Sequence, residues 1–524
     1  MSDYDVAIVG LGPVGCTAAI LLAEAGLNVV AIERDEEVYK LPRAVNLDGE
    51  IIRAFQKVGR GQVVQDLMQA VRPGDRAGFA NSQREWLFGQ EFRNFGSNGW
   101  QPMNMFDQPE LESYLREQAV GHGRVTAHIG YQAMAIENRA EDVAITFAAL
   151  GSEHAQVVSA QYLVACDGAS SATRKAFDID WKDLGYDHDW LVVDVTLKEG
   201  NTLNNDTVQV CDPERILTYV CTKDPYRRWE FKMHPGETAE EMLEEDKILS
   251  LIDPWTPRGT YEIRRAAVYQ FHAATADRWR VDRVFIAGDA AHQTPPFLGQ
   301  GMNAGMRDVV NLAWKLPMVV QGVAKDQLLD TYFAERNAHA HDLVDWAVAI
   351  GQLMEHIAEE ERCTRAGLPA PVTPSELKSS GYGQGREQPP IRDGVVILEQ
   401  VSDSGSTGYL FNQPIVRSVG RTGVVDEFRF DELLGPGFAV VLRNGRDAES
   451  LLNDRSHAVL QRIGANVVSL DGLELIRGRF DRLFEQHEAA VVRPDRLVFG
   501  HTTSGVTLDD LIESLADKLA LTDD

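Results

Sequence analysis

The chain has 524 residues, with 51 Lys and Arg against 79 Asp and Glu, a formal net charge of −28, and 44% hydrophobic residues. Such a composition excludes disordered, fibrous and disulfide-scaffold classes, and the length allows roughly three or four domains of about 150 residues each. The acidic balance repels phosphate polymers and anionic lipid, so neither nucleic acid nor a membrane is an expected partner and a small molecule is.

In chain order, Asp5–Val9, residues 13–25 and residues 27–32 read as strand, helix and strand, a βαβ unit that opens a parallel sheet. No basic n-region precedes the first strand, and the apolar stretch 309–320 is broken by Asn311, Lys315 and Pro317. It is short of the ~20 residues a membrane span needs. The five cysteines lie ten or more residues apart, without CxxC or zinc spacing, and read as buried thiols of a cytoplasmic protein. No metal is expected. Residues 181–275 alternate with period two, as in Thr207–Cys211 and Trp229–Met233, and predict an inserted, mostly antiparallel domain, with 76–105 expected to contribute to it. The first domain, 1–180, is expected to continue at 276–362, with a helical stretch over 306–360. Residues 363–394 hold five prolines and five glycines and read as a linker. Beyond it, 395–524 restart as a small α/β unit: strands at 438–442, 466–469, 489–492 and 496–499, a helix at 447–463, and a last helix from Thr507 carrying Leu508, Leu511, Ile512, Leu515 and Leu519 on one face.

Three motifs carry the chemistry. Gly10-Leu-Gly12-Pro13-Val14-Gly15 follows a strand and opens a helix, with Glu33 at the end of the next strand. This is the arrangement in which a pyrophosphate meets a helix N-terminus and a carboxylate accepts from a ribose. An acid at that position favours FAD or NAD over NADP. A second segment, Arg283 to His292 and on through Pro295, Pro296, Gly299, Gly301 and Gly305, reads as a buried strand delivering Asp289, followed by a glycine-rich loop and a helix. A third is Asp167-Gly168-Ala-Ser-Ser171-Ala-Thr-Arg174.

Together these motifs resemble the fingerprints of the class A, single-component flavoprotein aromatic monooxygenases of the p-hydroxybenzoate hydroxylase type. Leu41-Pro-Arg43-Ala, Arg228-Trp-Glu-Phe231, the loop 299–308 and Val492-Arg-Pro-Asp-Arg496 look most like the 3-(3-hydroxyphenyl)propionate hydroxylases and related phenol and polyketide hydroxylases. The resemblance spans the chain and implies an α/β architecture: a Rossmann-type FAD-binding domain, the inserted substrate sheet, and a C-terminal thioredoxin-like domain, here without CxxC. It implies non-covalent FAD, transient NADH or NADPH, O2, and hydroxylation of a phenolic substrate ortho or para to its oxygen. Gly10, Gly12, Pro13, Val14, Gly15, Glu33 and Arg34 would hold the AMP half of FAD, Arg43 its pyrophosphate, and Gln108 its ribityl region. Gly288, Asp289, Pro296, Gly299, Gly301, Met302 and Asn303 would line the ribityl and isoalloxazine side, where amides at a helix N-terminus stabilise reduced flavin. Asp167, Gly168 and Arg174 would form a motif shared by FAD and NAD(P)H.

Val45 stands where some relatives carry a His or Asp base, which leaves Asp48 and His292 as candidate acid–base groups beside their structural readings. Tyr219, Trp229 and Phe231 are candidate substrate contacts or core, Pro295 a candidate substrate contact, and Arg215 a substrate partner or a surface ion pair. Arg43 and Arg174 are expected to make a local basic patch for NAD(P)H. A homodimer is compatible with the pattern. The competing readings are a hydroxylase or epoxidase of larger polyketide or quinone substrates, a halogenase, whose Trp-x-Trp-x-Ile-Pro segment is missing, and a non-catalytic flavin-binding protein.

Overall fold

The structure, a computed structural model, describes residues 2–92, 96–371, 388–419, 425–445 and 452–522. Apolar β-rich runs build the first sheet. Its parallel core runs Val284–Ile286, Ala155–Ala165, Tyr4–Val9, Val29–Glu33 and Val125–Ile129, with Val6 paired to Val29 and Ile8 to Val164. Val6, Ala7 and Ile8 are fully buried, as expected of a parallel strand covered on both faces. Helix Pro13–Glu24 crosses this sheet and packs against helices Gln108–Val120 and Gly301–Val320.

The second sheet has eight strands: His292–Gln293, Tyr261–Ala276, Trp181–Leu197, Tyr226–Lys232, Leu217–Cys221, Thr207–Cys211, Arg76–Asn81 and Trp86–Glu91. Neighbours are antiparallel except Thr207–Cys211 and Arg76–Asn81, which are parallel. Leu191, Val193, Tyr219, Trp229 and Phe231 on one face pack with Met242, Ile248 and Ile252 of the short helices Ala239–Met242 and Glu245–Ile252. The opposite face carries Phe79, Trp190 and Cys211, which pack with Phe297 and with Val344, Ala347 and Ile350 of the long helix Thr331–Ala366. The central strands of the sheet are therefore buried on both sides, while the edge strand Trp86–Glu91 is not.

The helical stretch expected over 306–360 is two helices, Gly301–Val320 and Thr331–Ala366, joined by the turn Asp326–Asp330. Pro317 lies inside the first helix, which continues to Val320 and is capped at Gln321. The expected linker begins inside the second helix, which runs to Ala366 before Gly367 ends it at φ 66°; residues 372–387 lie outside the described ones.

Beyond 394, Ala439–Leu442, helix Asp454–Arg462 and the parallel strand Asn466–Ser469 are followed by the antiparallel pair Ala489–Val492 and Val498–His501 and by helix Leu508–Lys518. This is the thioredoxin-like arrangement expected. The last helix starts at a reciprocal cap between Thr507 and Asp510, and Leu508, Leu511, Ile512 and Leu515 face Phe438, Val440 and Trp314. The expected strand 496–499 is shifted to 498–501, and residues 446–451, at the start of the expected helix 447–463, lie outside the described ones.

Candidate active site

The glycines of the first motif have different tasks. A Cβ on Gly10, at φ 93°, would lie 2.5 Å from the Cys166 carbonyl oxygen, and one on Gly15 would lie 1.9 Å from that of Gly10. Both allow strand and helix to close together. A Cβ on Gly12 would meet nothing within 4 Å, and helix Pro13–Glu24 begins there without a side-chain cap. Open space at an uncapped helix N-terminus is where an anion can approach the backbone. Glu33 is buried and accepts from the amides of Leu11 and Asp35, which fixes the turn beside that space. Arg34 instead pairs with Asp35 at the surface, its side chain 62% exposed.

The second motif docks directly on the first: a Cβ on Gly305 would lie 2.8 Å from Val14 Cγ2, and one on Gly288, at φ 64°, 3.2 Å from it. Asp308 is fully buried and accepts from the Gly288 amide at 3.0 Å, from Arg336 Nε at 3.0 Å and pairs with His292 Nε2 at 2.8 Å. His292 is thus a buried member of a hydrogen-bonded network, in line with its structural reading. Asp289 is solvent-accessible although protein crowds it, as in a cleft wall. That crowding raises its carboxyl above the usual range against the pull of His292 and Arg43. Pro295 is buried, the turn Pro296–Leu298 follows it, and Gly299, at φ 62°, lies so close to Asn46 that a Cβ would be 2.3 Å from Oδ1. Helix Gly301–Val320 then starts without a side-chain cap, leaving its first amides, at Gly301 and the half-buried Met302, without an intrahelical partner. Asn303 ties the loop down, accepting from the Asp48 amide and donating to the Gly299 carbonyl.

Asp48 is held by Arg307 at 2.6 Å and by Gln300 at 3.1 Å. Burial raises its carboxyl despite Arg307. Together with Gln300 and Arg307 it lines a cavity of about 1550 Å³ that extends behind the loop to Tyr409 and Pro436. A carboxylate so engaged is a charge partner before it is a base.

Gln108 accepts from the amides of Arg43 and Ala44 and donates to Glu112, so it shapes the Arg43 segment. Arg43 is exposed and stacks on Tyr39 at 4.5 Å. Asp167 accepts from the Thr173 amide through one oxygen while the other, Oδ1, is buried without a partner; Gly168 turns the chain at φ 77°. Arg174 is buried, stacked on Trp181 at 4.4 Å and donating to the Ile179 carbonyl. The basic patch expected of Arg43 and Arg174 is therefore not formed: only Arg43 is accessible.

Of the two readings of the aromatic residues on the large sheet, substrate contact or core, the structure places them in a core. Tyr219, Trp229 and Phe231 are buried under the two short helices, with Tyr219 stacked on Trp255 at 5.1 Å and donating to the Asn204 carbonyl. The opposite face is the one that meets the nucleotide-side loops. There Gln209 donates to the Phe297 carbonyl at 3.4 Å, and Thr218 donates to Gln209 at 2.6 Å. Arg228 donates to the carbonyls of Pro42 and Arg43 at 2.8 and 2.7 Å. Glu230, directly opposite Thr218, shares this face. Sequence reasoning gave these residues no role, although Arg228 and Glu230 lie in the Arg228-Trp-Glu-Phe231 segment; the signal was a polar residue on one face of otherwise apolar strands, at Asp194, Gln209, Thr218, Arg228 and Glu230. Arg215 forms the ion pair with Glu237, at 2.6 Å.

An uncapped helix start at the open Gly12, a second behind Gly299, the orphaned Asn46 Oδ1 and Asp167 Oδ1, and the accessible Asp289 together fit a long ligand with a pyrophosphate and a polar ring edge. Residues 3–347 match the family described as FAD binding domain, and 408–518 the HcaD C-terminal domain. The chain belongs to this FAD-binding family. A probable NADH-specific resorcinol 4-hydroxylase of Rhodococcus jostii is 32% identical, covering 98% of this chain and 95% of its own. A 3-(3-hydroxy-phenyl)propionate/3-hydroxycinnamic acid hydroxylase of Escherichia coli is 30% identical, covering 99% and 95%. The solved aklavinone-11 hydroxylase, in complex with FAD and aklavinone, shares the fold with a TM-score of 0.79 at 24% identity, covering 99% of both chains. The chain is an FAD-dependent hydroxylase of the flavin monooxygenase type. Among the described residues no helix is long and apolar enough to cross a membrane.

Proposed function

We propose that this enzyme hydroxylates a single-ring phenol with NADH and O2, on the face of the large sheet that carries Gln209, Thr218 and Glu230. The observation that carries the reading is the meeting, on that one buried face, of the glycine-rich loop through Phe297 and the Arg43 segment through Arg228. Bound FAD supplies electron transfer from NADH and the activation of O2. The open backbone at Gly12 and the first amides of helix Pro13–Glu24 would face its pyrophosphate. Gln108 would act through the Arg43 segment. Asp289 would meet the ribityl side, and the amides at 301–302 the ring edge where negative charge collects on reduction. Arg228 binds the 42–43 segment to the sheet, which closes the cleft against water, and Pro295 and Phe297 cover the ring from the loop side.

The names borne by relatives at 30 to 32% identity, all for single-ring phenols, favour this reading over a polyketide-sized substrate. The unit 395–524 is assigned packing without dithiol chemistry, since all five cysteines are free and none follows Cys363; free thiols also fit a cytoplasmic location. Residues 1–180 with 276–362 make the nucleotide unit of this proposal and 181–275 the substrate unit. The homodimer is its quaternary part, to be read by light scattering. The experiment is NADH oxidation by the purified yellow protein over a panel of 3-substituted phenols, with product mass. Stimulation by resorcinol-like phenols with one oxygen gained in the product supports the proposal, and oxidation indifferent to every phenol overturns it.

A further inference from the structure

Glu230 stands out on the sheet face just described. It is 5% exposed and accepts no hydrogen bond among the described residues; the nearest cation, Arg228 Nη1, is 3.7 Å away, beyond hydrogen-bond reach. A buried carboxylate is expected to be satisfied, and one left open asks for a missing donor. None of its neighbours supplies it. Arg228 spends its hydrogen bonds on Asp194 and on the carbonyls of Pro42 and Arg43, and Arg265 Nε, though without a partner, makes none to Glu230. Arg265 pairs with Asp194 at 2.7 Å and donates to Tyr269. Thr218, across the ladder, gives its proton to Gln209.

The position is as telling as the vacancy of partners. Glu230 lies between the two contacts through which the nucleotide unit rests on the sheet: Arg228, two residues along its strand, holds the Arg43 segment, and Gln209, two strands across, holds the Phe297 carbonyl. A ring lying between loop and sheet would present its hydroxyl to this carboxylate.

We propose that Glu230 is the acid–base residue of the hydroxylation, accepting the proton of a substrate hydroxyl. In that step the phenolic O–H bond breaks, a carboxyl O–H bond forms on Glu230, and the electron pair left on the phenolic oxygen enriches the ring at its ortho and para carbons, where the oxygen atom is added. As the product rearomatises, the oxygenated ring carbon releases its hydrogen as a proton to water and Glu230 returns the phenolic proton to the ring oxygen, which restores the carboxylate. The step needs no co-reactant beyond those of the parent reaction. It assigns to Glu230 the task that Val45, an apolar residue, cannot perform and that Asp48, clamped by Arg307, does not. It also fits a neutral phenol with a free hydroxyl, because no unpaired cation stands beside Glu230 to hold a substrate carboxylate.

The electrostatics suit a general base. Burial pushes Glu230 up to about 7, with Asp194 adding to the rise and Arg228 and Arg265 opposing it. The titratable groups around it are Asp194, Arg228, Arg265 and Tyr269 on the sheet and Tyr186, whose phenol burial also raises, with Glu230 contributing. A base whose affinity for protons lies near the working pH is efficient.

The inference rests on the phenol hydroxylase reading, and the test separates the two. FAD-loaded wild type, Glu230→Gln and Glu230→Asp are compared in resorcinol-stimulated NADH oxidation from pH 5.5 to about 9, and in resorcinol binding by calorimetry without NADH. Wild-type kcat is expected to rise through about pH 7. Glu230→Gln is expected to lose that rise and roughly 100-fold in kcat with its FAD content retained, and Glu230→Asp to regain part of the rate with the limb moved to lower pH. Wild-type rate and pH limb in Glu230→Gln would overturn the inference while leaving the hydroxylase reading intact. Should Glu230→Gln fail to hold FAD, an unmoved limb in Glu230→Asp would overturn it equally. A wild type inert toward every phenol would instead sink the parent reading, and binding of resorcinol indifferent to pH and to the substitution would then sink this one.

Discussion

Two buried clusters use the same parts, carboxylates among arginines, with opposite results. At the joint between the nucleotide unit and the C-terminal unit, Glu335 is fully buried, accepts from Arg493 at 2.7 and 3.1 Å and from the Val395 amide at 2.8 Å, and forms an ion pair with Lys315 at 2.9 Å. Its carboxyl falls to about 2, burial being outweighed by Arg493 and Lys315. Asp431 nearby, gripped by Arg53 and Arg496, is likewise held at about 2. On the substrate sheet Asp194 pairs with both arginines and Glu230 accepts no hydrogen bond from either, so burial, with Asp194 adding to it, raises its carboxyl to about 7. Burial alone does not decide; the number of donors reaching each oxygen does. One cluster is closed and structural. The other is one donor short, and that donor is the substrate's.

The comparison can be broken most forcefully at the joint. Arg493→Ala leaves Glu335 buried beside only one strong cation and should cost about 3–5 kcal/mol of stability by urea unfolding; a loss under 1 kcal/mol would show the joint to be wet.

The two acids also predict opposite pH slopes. Glu335, depressed in the fold, stabilises above pH 4.5 and loses roughly 3 kcal/mol as pH falls toward 2. Glu230, raised in the fold, lowers stability as pH climbs from 4.5 to about 7, again by roughly 3 kcal/mol. Glu230→Gln should therefore flatten the second slope and be the more stable protein at pH 8, a gain in stability for a loss of rate, and Glu335→Gln should flatten only the first. Unfolding curves at four pH values check both.

A smaller effect tests the nucleotide cradle. Gly12→Ala adds a methyl to open space and should leave the melting temperature of the FAD-free protein unchanged while weakening FAD binding at least ~10-fold, about 1.4 kcal/mol; Gly10→Ala should fail to fold well. The smallest separates the sheet faces: Trp229→Phe should cost about 1–2 kcal/mol of stability without moving the KM for phenol, whereas Thr218→Val should raise that KM.

The fold was legible because its signals are local: the βαβ opening, the reciprocal cap at Thr507 and the period-two strands each declare themselves within a few residues. The cofactor side was legible for the same reason, since a glycine-rich turn and its helix are contiguous. The substrate side was not. Alternation identifies two faces but not which is covered by helices 239–252 and which by the loop at 297, so the reading of Tyr219, Trp229 and Phe231 stayed open between pocket and core. For His292 the deciding contact is likewise remote, since Asp308, sixteen residues on, holds its ring. Arg174 is a third case, its charge spent on Ile179 and Trp181.

The central claim is that this chain puts an atom of O2 onto a phenolic ring. Turnover of resorcinol and NADH under O2 labelled with the heavy isotope tests it in one step. The account predicts one labelled oxygen in the new ring hydroxyl, in proportion to the NADH consumed; NADH consumed without label in any aromatic product would contradict it.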